Sequence, residues 1–394
     1  MDQVRFGIVG IGNMGSSHVR FIGEMENAKL TAVCDIDPRA FDRIAPATRE
    51  KIRCFTDLET FLAEGDIDAV IVAVPHYFHP DIAIRAMECG KHIVVEKPIA
   101  VHKREALRLI AEAAKHPGLV KSLMFNQRTL PAHRKIKQMI DSGELGRITR
   151  VNWIITDWFR SQYYYDSGDW RASWRGEGGG VLLNQCPHQL DLMQWFFGMP
   201  VRVRAAVKLG KYHDIEVEDE VNAYLEYEDG KVGNFIASTG EMPGTNRLEI
   251  TADNGRLVYE NNVLEFIRNE IPTEEYSRTS ENAFRKADNW TCRINVQDEE
   301  HSADHQHRNI LHNVAEAILH GAPLFAPLAE GRFGLELGNA ILLSGLKDKT
   351  VTLPIDAAEF AAELEKLVAT SRYRKKTPVD AAPAGDFGGS FGNH

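Results

Sequence analysis

The sequence predicts an α/β protein with two domains, and three observations support this prediction. A chain of 394 residues is longer than a single hydrophobic core usually supports. Short apolar runs alternate with helical patterns over residues 4–124, which is typical of βαβ units around a parallel sheet. From residue 201 to about 267 the pattern changes to strands in succession, which indicates a mainly antiparallel sheet.

The first domain is predicted to contain five strands connected by helices. The predicted strands cover residues 4–9, 30–34, 69–74, 92–95 and 120–125. Of two helical segments between them, one stops at Gly90 and the other at Pro117 and Gly118, residues that commonly follow the last turn of a helix. Both segments are therefore predicted to be crossover helices.

The pattern changes after Phe125, and this change predicts the domain boundary. One helix (132–142), one strand (148–156), an aromatic stretch and a second glycine cluster follow. The later strands contain Asp229-Gly230 and Asn254-Gly255, which are tight-turn signals. Helical periodicity returns over residues 304–346 and 357–371, and these helices are expected to pack against both domains. The predicted domains are residues 1–125 and 126–376, followed by a flexible tail rich in Gly, Pro and Ala over residues 377–394.

Composition and charge exclude several classes of protein. The formal net charge of -10 repels phosphate backbones and anionic lipid, so neither nucleic acid nor a membrane is an expected partner. Five cysteines lie far apart without a Cys-x-x-Cys pair, which favours a reducing compartment. The sequence has no signal-peptide pattern and no stretch near the roughly 18 apolar residues of a membrane helix. We therefore expect a cytoplasmic protein.

A glycine-rich segment follows the first predicted strand. Gly10-Ile11-Gly12-Asn13-Met14-Gly15 lies between the apolar strand and a helical pattern. In this context the backbone N–H groups and the helix dipole would face a pyrophosphate, and the glycines would let it approach closely. The motif predicts a dinucleotide site.

Asp35 ends the second predicted strand and strengthens this prediction. It stands near the spacing at which an acid accepts hydrogen bonds from both ribose hydroxyls. A carboxylate there repels a 2′-phosphate, so NAD is favoured over NADP, although Arg39 is a cation that would favour the phosphate. The alternative for Asp35 is a helix N-cap.

Glu96-Lys97-Pro98 follows the predicted strand at residues 92–95. Ligands of open parallel sheets bind beyond the carboxyl ends of the strands, so Lys97 is expected where the nicotinamide and the substrate meet. The alternative is a solvated surface lysine beside a carboxylate.

Three motifs occur together and in order: GIGNMG at residues 10–15, EKP at 96–98, and GGGVLLNQCPHQLD at 178–191. Together they resemble the Gfo/Idh/MocA family, named for glucose-fructose oxidoreductase and inositol dehydrogenase, over residues 1 to about 355. The resemblance implies a Rossmann domain followed by an α/β domain with a large open-faced sheet, through which homodimers or homotetramers often form. It also implies that Lys97 and His188 lie at the reacting hydroxyl.

The chemistry of alcohol oxidation agrees with these two residues. Loss of the hydroxyl proton requires a group whose pKa lies near neutrality, which a histidine has without perturbation. A lysine needs a lowered pKa to act as a base, or it stays charged and stabilises the developing alkoxide. We therefore predict His188 as the acid/base and Lys97 as its assistant, in an NAD-dependent oxidoreductase acting on a sugar, glycoside or cyclitol.

The motif departs from the family's common pattern at residue 184, where an aspartate is usual and this chain has Asn184. Asparagine cannot hold charge or take a proton near pH 7, but it can bind a hydroxyl. Asn184, His188 and Asp191 have helical spacing, which predicts that all three share one helix face. Asp191 would then orient the imidazole or bind a substrate hydroxyl.

Other segments resemble family positions near the cofactor, namely VPHYFHP after the third predicted strand and FNQR after the last one. The residues predicted to bind the cofactor are Gly10, Gly12, Asn13, Met14, Gly15, Asp35, Ile36, Arg39, Val74, Pro75, His76, His79, Glu96, Lys97, Asn126 and Arg128.

Residues 157–180 concentrate aromatic and arginine side chains just before the catalytic motif. Aromatic rings stack on sugar rings and arginines donate to hydroxyls, so a carbohydrate pocket is one interpretation, while a core plug or a subunit contact is another. The residues predicted to bind substrate are Lys97, Trp158, Arg160, Tyr163, Trp170, Trp174, Asn184, His188 and Asp191.

The remaining alternatives concern metal and function. His301, His305 and His307 stand beside Asp298 and Asp304, but a hydrated helix start explains them better than a metal site, so no metal is expected. Two other functions stay open: a glycosidase that acts through transient oxidation by tightly held NAD, and an NAD-sensing regulator without turnover.

Overall fold

The computed structural model describes residues 2–168, 170–296 and 305–371. The predicted tail at 377–394 lies outside the described residues, as do Asp298, His301 and Asp304 of the histidine-rich segment.

The first sheet has six parallel strands in the order β3-β2-β1-β4-β5-β6. These strands are β1 (Val4–Val9), β2 (Ala28–Cys34), β3 (Arg53–Phe55), β4 (Ala69–Val72), β5 (His92–Val95) and β6 (Lys121–Leu123). Their apolar runs are buried because helices cover both faces of a parallel sheet, and Ile8, Ile71 and Ile93 are fully inaccessible to solvent. The strand order reverses between β1 and β4, which opens a crevice at their carboxyl ends.

Five helices connect these strands. They are α1 (Asn13–Gly23), α2 (Pro46–Arg49), α3 (Leu58–Glu64), α4 (His79–Glu88) and α5 (Lys103–Ala114). The predicted glycine stop after α4 is confirmed, since Gly90 has a φ of 72° and its N–H donates to Met87 O at 2.8 Å. The sequence did not predict β3 or α3, which are short and have no clear periodicity.

Among the residues that the structure describes, the second sheet has nine strands in the order β14-β13-β12-β11-β7-β10-β9-β8-β15. The strands are β7 (Ile148–Ile155), β8 (Arg202–Leu209), β9 (Glu218–Glu226), β10 (Val232–Ser238), β11 (Asn246–Ala252), β12 (Gly255–Glu260), β13 (Val263–Asn269), β14 (Asn289–Ile294) and β15 (Val351–Thr352). All neighbours are antiparallel except β7 and β10, which run parallel. Both predicted turns are confirmed: Gly230 has a φ of 86°, and Ala252 pairs with Gly255 across a two-residue turn.

Within residues 131–168, 170–296 and 305–371, seven α-helices accompany the second sheet. They are α6 (Pro131–Asp141), α7 (Gln162–Asp166), α8 (Pro187–Phe197), α9 (Thr273–Thr279), α10 (Gln306–His320), α11 (Gly331–Lys347) and α12 (Ala357–Thr370). Helix α11 packs against both α8 and β8, and a Cβ on Gly334 would lie 3.0 Å from Asp191 N, so α8 and α11 pack closely. The C-terminal helices also pack against helices of the first domain, as expected. Helix α10 contacts α1, and α12 contacts α5.

The nine-stranded sheet buries one face against these helices. In β9, Val221, Ala223 and Leu225 are buried, while the intervening Asn222 and Tyr224 are exposed on the opposite face. This alternation is typical of a sheet that is covered on one side. The prediction of an α/β fold with a parallel sheet and a mainly antiparallel open sheet is confirmed. Within the described ranges, no helix has both the length and the apolar character needed to cross a membrane.

Candidate active site

The glycine turn joins β1 to α1. Gly10 has a φ of 91°, and a Cβ there would lie 2.4 Å from Ala73 O. A Cβ on Gly15 would lie 1.8 Å from Gly10 O, whereas one on Gly12 would meet no atom within 4 Å. The first and third glycines therefore allow close packing, and the second keeps the approach to the N-terminus of α1 open.

Asp35 lies at the carboxyl end of β2 and lines the same crevice. Its Oδ2 accepts the Ile11 N–H at 2.7 Å, and its Oδ1 accepts the Asp37 N–H at 2.9 Å. A carboxylate has capacity for further hydrogen bonds, so Asp35 braces the glycine turn and can still accept from a ligand. The N-cap alternative is wrong, because Asp37 caps the following 3-10 turn by accepting the Arg39 N–H at 3.0 Å.

Arg39 and Arg43, the two arginines that follow Asp35, have different surroundings. Arg39 pairs with Asp37 at 2.8 Å, its side chain is 87% exposed, and it does not line the crevice. Arg43 does line the crevice, with Nη1 at 3.3 Å from Asn13 Oδ1. The prediction selected the nearer arginine in sequence, but the 3-10 turn over Pro38–Arg43 carries the later one to the crevice.

A single cleft of about 740 Å³ extends from the glycine turn to Lys97. The predicted residues that line it are Gly10, Gly12, Asn13, Met14, Asp35, Ile36, Val74, Pro75, His76, His79, Glu96, Lys97, Trp170 and Asn184. The predicted residues that do not line it are Gly15, Arg39, Asn126, Arg128, Trp158, Arg160, Tyr163, Trp174, His188 and Asp191. Among the lining residues that were not predicted are Arg43, Tyr164 and Arg171.

Lys97 lies two residues after the end of β5, and its Nζ donates to Asn184 O at 2.9 Å. Burial lowers the pKa of Lys97, and the positive charges of Arg171 and Arg160 lower it further against the opposing charge of Glu96. The amine of Lys97 therefore lines the cleft and is hydrogen-bonded to the backbone of Asn184. It is not a solvated surface lysine.

Glu96, just before Lys97, is bound from the first helix. Its Oε1 lies 2.7 Å from His18 Nε2 in α1. Burial alone would raise the pKa of Glu96, but the hydrogen bond and charge of His18 outweigh burial and lower the pKa to about 2. Glu96 is therefore a charged carboxylate at the base of the cleft.

His188 lies in the first turn of α8, and its side chain is buried. Its Nδ1 has no hydrogen-bond partner among the described residues, and its ring lies 6.3 Å from that of Phe125. Burial, followed by the positive charge of Lys97, lowers the pKa of His188 well below its ordinary value. The imidazole is therefore neutral near pH 7, within range of the charge of Lys97.

The prediction that Asn184 shares a helix face with His188 and Asp191 is wrong. Helix α8 begins at Pro187, so Asn184 belongs to the preceding turn. Asp191 is in the helix, but its carboxylate binds Arg128 through two bonds of 2.7 Å in the interior. Asp191 was predicted to bind the substrate and Arg128 to bind the cofactor, yet in the structure these two side chains bind each other.

Asn126 and His307 connect the cleft region to α10. Asn126 Nδ2 donates to Gln306 Oε1 at 2.6 Å, and the His307 ring stacks on Phe21 with centroids 5.6 Å apart. Burial lowers the pKa of His307 to about 3, so this histidine is a packed, neutral residue. Across residues 2–168, 170–296 and 305–371, no group of three or more His, Cys, Asp or Glu side chains could hold a metal ion.

The aromatic segment divides between the cleft and the interior. Trp158 and Trp174 are buried, and Tyr163 is 47% exposed outside the cleft. Trp170 lines the cleft, with its ring 5.1 Å from that of His76. Arg171 stacks over Tyr164 at 4.4 Å and Trp170 at 4.6 Å. The pocket and core interpretations thus apply to different residues of the same segment.

Glu177 is a candidate that sequence reasoning missed. It lies directly before the Gly178 to Gly180 cluster and is 1% exposed. Its carboxylate accepts from Asn184 Nδ2 and, at 2.7 Å, from the Ala172 N–H. The only available signal in the sequence was an acidic residue next to glycines, which by itself has no specific meaning.

Two family models match the chain. The model described as "Oxidoreductase family, NAD-binding Rossmann fold" matches residues 4–122, and "GFO/IDH/MocA C-terminal domain" matches residues 133–258. The fold and the cleft therefore define an NAD-binding oxidoreductase. Since both models belong to one family and together cover more than half of the chain in the expected order, the chain belongs to the Gfo/Idh/MocA family.

Several relatives are similar to this chain. It is 26% identical over 264 residues to scyllo-inositol 2-dehydrogenase (NAD(+)) of Bacillus subtilis (strain 168), with 65% of this chain and 73% of that protein covered. It is 30% identical over 197 residues to a glycosyl hydrolase family 109 protein of Shewanella baltica (strain OS195), with 46% of this chain but only 42% of that protein covered.

Among solved structures, the chain is similar to the WlbA dehydrogenase from Bordetella pertussis in complex with NADH and UDP-GlcNAcA. The identity is 26%, the TM-score is 0.74, and the match covers 90% of this chain and 100% of that chain. The similarity therefore extends over both sheets.

Proposed function

We propose that the protein is an NAD-dependent dehydrogenase that oxidises a secondary hydroxyl, or reduces the corresponding keto carbon, of a sugar, glycoside or cyclitol. The observation that carries this proposal is the continuous cleft, which has the glycine turn and Asp35 at one end and Lys97, Asn184 and Trp170 at the other. Such a cleft can hold a dinucleotide and bring its reactive ring to the amine.

The residues of the cleft fit NAD. Gly10 and Gly12 leave room for the pyrophosphate at the N-terminus of α1, and Asp35 can accept from ribose hydroxyls. The carboxylates of Asp35 and Asp37 favour NAD over NADP, whereas Arg43 is the cation that would favour NADP. When bound, NAD supplies the carbon that accepts the hydride.

The chain's own residues handle the proton. His188 is the proposed proton acceptor because its imidazole is neutral near pH 7 and so has a lone pair for the proton, although His188 is not among the residues that line the cleft. Lys97 lines the cleft and would stabilise the negative charge that develops on the oxygen. The positive charge of Lys97 lowers the pKa of His188, so the titrations of the two groups are coupled.

The relatives and the cleft both support a polyol substrate. A cyclitol dehydrogenase and a dehydrogenase bound to a nucleotide sugar are among the similar proteins. Trp170 and Tyr164 supply aromatic faces, and Arg171 supplies donors for hydroxyls. The position of Lys97 in the cleft, with its pKa lowered by burial, also favours an enzyme over an NAD-sensing regulator.

The direct test is reduction of NAD by candidate substrates. We expect at least one of scyllo-inositol, myo-inositol, hexoses and methyl glycosides to raise the absorbance of reduced nicotinamide, with NAD more effective than NADP. If no member of a broad panel raises it, while NADH still binds, the dehydrogenase proposal is wrong.

A glycosidase is the second candidate, because one similar protein is a glycosyl hydrolase family 109 protein. In that case a p-nitrophenyl glycoside would release nitrophenol without added NAD and without a net change in nicotinamide absorbance. Release that requires stoichiometric NAD would instead support the dehydrogenase.

We also propose that copies of the chain associate as homodimers or homotetramers through the exposed face of the nine-stranded sheet, where Asn222 and Tyr224 lie. Light scattering after size exclusion should give a mass of two or four chains. Replacing Tyr224 with Lys should lower that mass without changing NADH affinity.

The cytoplasm is the proposed compartment, and the free state of all five cysteines is compatible with it.

A further inference from the structure

Glu177 is a buried carboxylate directly behind residues that line the cleft. Its Oε2 accepts the Ala172 N–H at 2.7 Å, its Oε1 accepts from Asn184 Nδ2, and Arg171 Nη1 lies 3.9 Å from Oε1. Burial, the largest influence, raises the pKa of Glu177, whereas the charge of Arg171 and the hydrogen bonds from Ala172 and Asn184 lower it. A buried carboxylate needs such hydrogen bonds and opposite charge to stay ionised.

This arrangement fixes the orientation of the Asn184 amide. A carboxylate only accepts hydrogen bonds, so the amide must turn its NH₂ group toward Glu177. The Tyr164 hydroxyl lies 3.5 Å from the same nitrogen. The amide oxygen of Asn184 is therefore left as the acceptor for a ligand in the cleft that Asn184 lines.

Residue 184 also connects Glu177 to the proposed proton-handling pair. Lys97 Nζ donates to the backbone carbonyl of Asn184 at 2.9 Å. The negative charge of Glu177 raises the pKa of Lys97, although burial, the largest influence, lowers it. Glu177 thus acts on Lys97 through its charge and on Asn184 through a hydrogen bond.

We propose that Glu177 is a positioning residue that supplies, from behind the cleft surface, the negative charge that the family's common pattern carries as an aspartate at position 184. Asn184 would then present a neutral amide oxygen to a substrate hydroxyl. This inference rests on the proposed dehydrogenase function and names the group that recognises the hydroxyl.

A double-mutant cycle that moves the negative charge from position 177 to position 184 tests the proposal. Each variant is assayed with NAD and the best substrate of the polyol panel. Glu177→Gln removes the charge, and we expect kcat/KM to fall by about tenfold or more. Asn184→Asp sets two carboxylates side by side, and we expect a similar loss because like charges in one site repel. The double variant E177Q/N184D moves the charge to position 184 and should recover to within about threefold of the wild type.

The pH dependence supplies a readout that a purely structural role would not change. Loss of the Glu177 charge should lower the pKa of Lys97 further, so the limb of the pH–rate profile that Lys97 controls should move to lower pH in Glu177→Gln. The double variant should move it back. Glu218→Gln is the matched control, because Glu218 is equally buried and accepts the N–H groups of Gly180 and Leu182 but does not bind Asn184.

Two outcomes overturn the proposal: a double variant whose loss equals the product of the single losses, or a Glu177→Gln variant with the wild-type rate and pH profile. If Glu177→Gln does not fold, the double variant still decides by its recovery, together with Asn184→Ala, whose KM should rise about tenfold. An unchanged KM in Asn184→Ala contradicts the inference. A wild type that binds NADH but oxidises no polyol rejects the proposed function itself, and this inference with it.

Discussion

The two ends of the cleft are built in different ways. The dinucleotide end is mostly backbone from consecutive residues, namely the glycine turn and the start of α1. The Asp35 side chain, 24 positions after Ile11, braces this turn with a hydrogen bond of 2.7 Å. The Lys97 end consists of side chains from distant parts of the chain, with Nζ of Lys97 bonded to a carbonyl 87 residues later. A site made of local backbone can be predicted from a short motif, whereas a site made of converging side chains requires the fold.

The largest expected effect tests the Lys97 end. Lys97→Ala and His188→Ala should each reduce kcat by at least about a hundredfold, because the proton and the developing charge lose their partners. NADH affinity, measured by fluorescence titration, should stay nearly unchanged. The matched control is Lys91→Ala at the opposite end of β5, where Nζ donates to Ile67 O away from the cleft. Wild-type rates in both the Lys97→Ala and the His188→Ala variants would remove the proposed mechanism.

The next effect tests the backbone end. Gly10→Ala forces a side chain into a φ of 91° and toward Ala73 O, so we expect a loss of about 1–3 kcal/mol in the free energy of unfolding. NADH binding should weaken as well. Gly12→Ala has open space around its Cβ, so its melting temperature should stay near that of the wild type while NADH affinity falls. Equal melting temperatures in the two variants would contradict the assigned roles.

A third prediction concerns Glu96, which lies where the two ends meet. Its pKa is lowered from 4.5 to about 2, so its ionised form stabilises the folded state. That stabilisation is fully present above pH 4.5 and should be lost as the pH falls toward 2, with His18 and Lys97 supplying the opposite charge. Melting temperatures of the wild type and Glu96→Gln should therefore differ at pH 7 and converge on acidification. A difference in melting temperature that stays constant with pH would argue against the lowered pKa of Glu96.

The smallest expected effect distinguishes the two arginines. Arg43→Ala should weaken NADPH binding by about tenfold relative to NADH, because Arg43 is the cation that lines the cleft. Arg39→Ala should change neither affinity, since Arg39 pairs with Asp37 and is exposed. A loss of NADPH binding in Arg39→Ala alone would reverse the assignment.

Sequence reasoning succeeded where neighbouring residues determine the geometry. The parallel sheet, the glycine turn and the position of Lys97 after β5 all follow from local patterns and the rule for strand ends. The helix face predicted for Asn184 is wrong because Pro187, not residue 184, begins α8. Periodicity could not detect this start, since the preceding residues have the same spacing.

Other predictions could not be corrected without the fold. The pair of Arg128 and Asp191 joins residues 63 positions apart, and nothing in either segment marks the other as its partner. The burial of His188 depends on how α8 packs, and the role of Glu177 depends on an amide seven residues later. Sequence can identify the reactive types of residue, but their solvation and pairing are tertiary properties.

The return of α10 to the first sheet makes the N-terminal half dependent on the end of the chain. Asn27 binds Glu316 at 2.7 Å, Asn126 binds Gln306, and the His307 ring covers Phe21 of α1. A fragment of residues 1–125 would lose this cover and expose the apolar side of α1. The contacts that cover α1 can therefore form only after residues 306–320 have been synthesised.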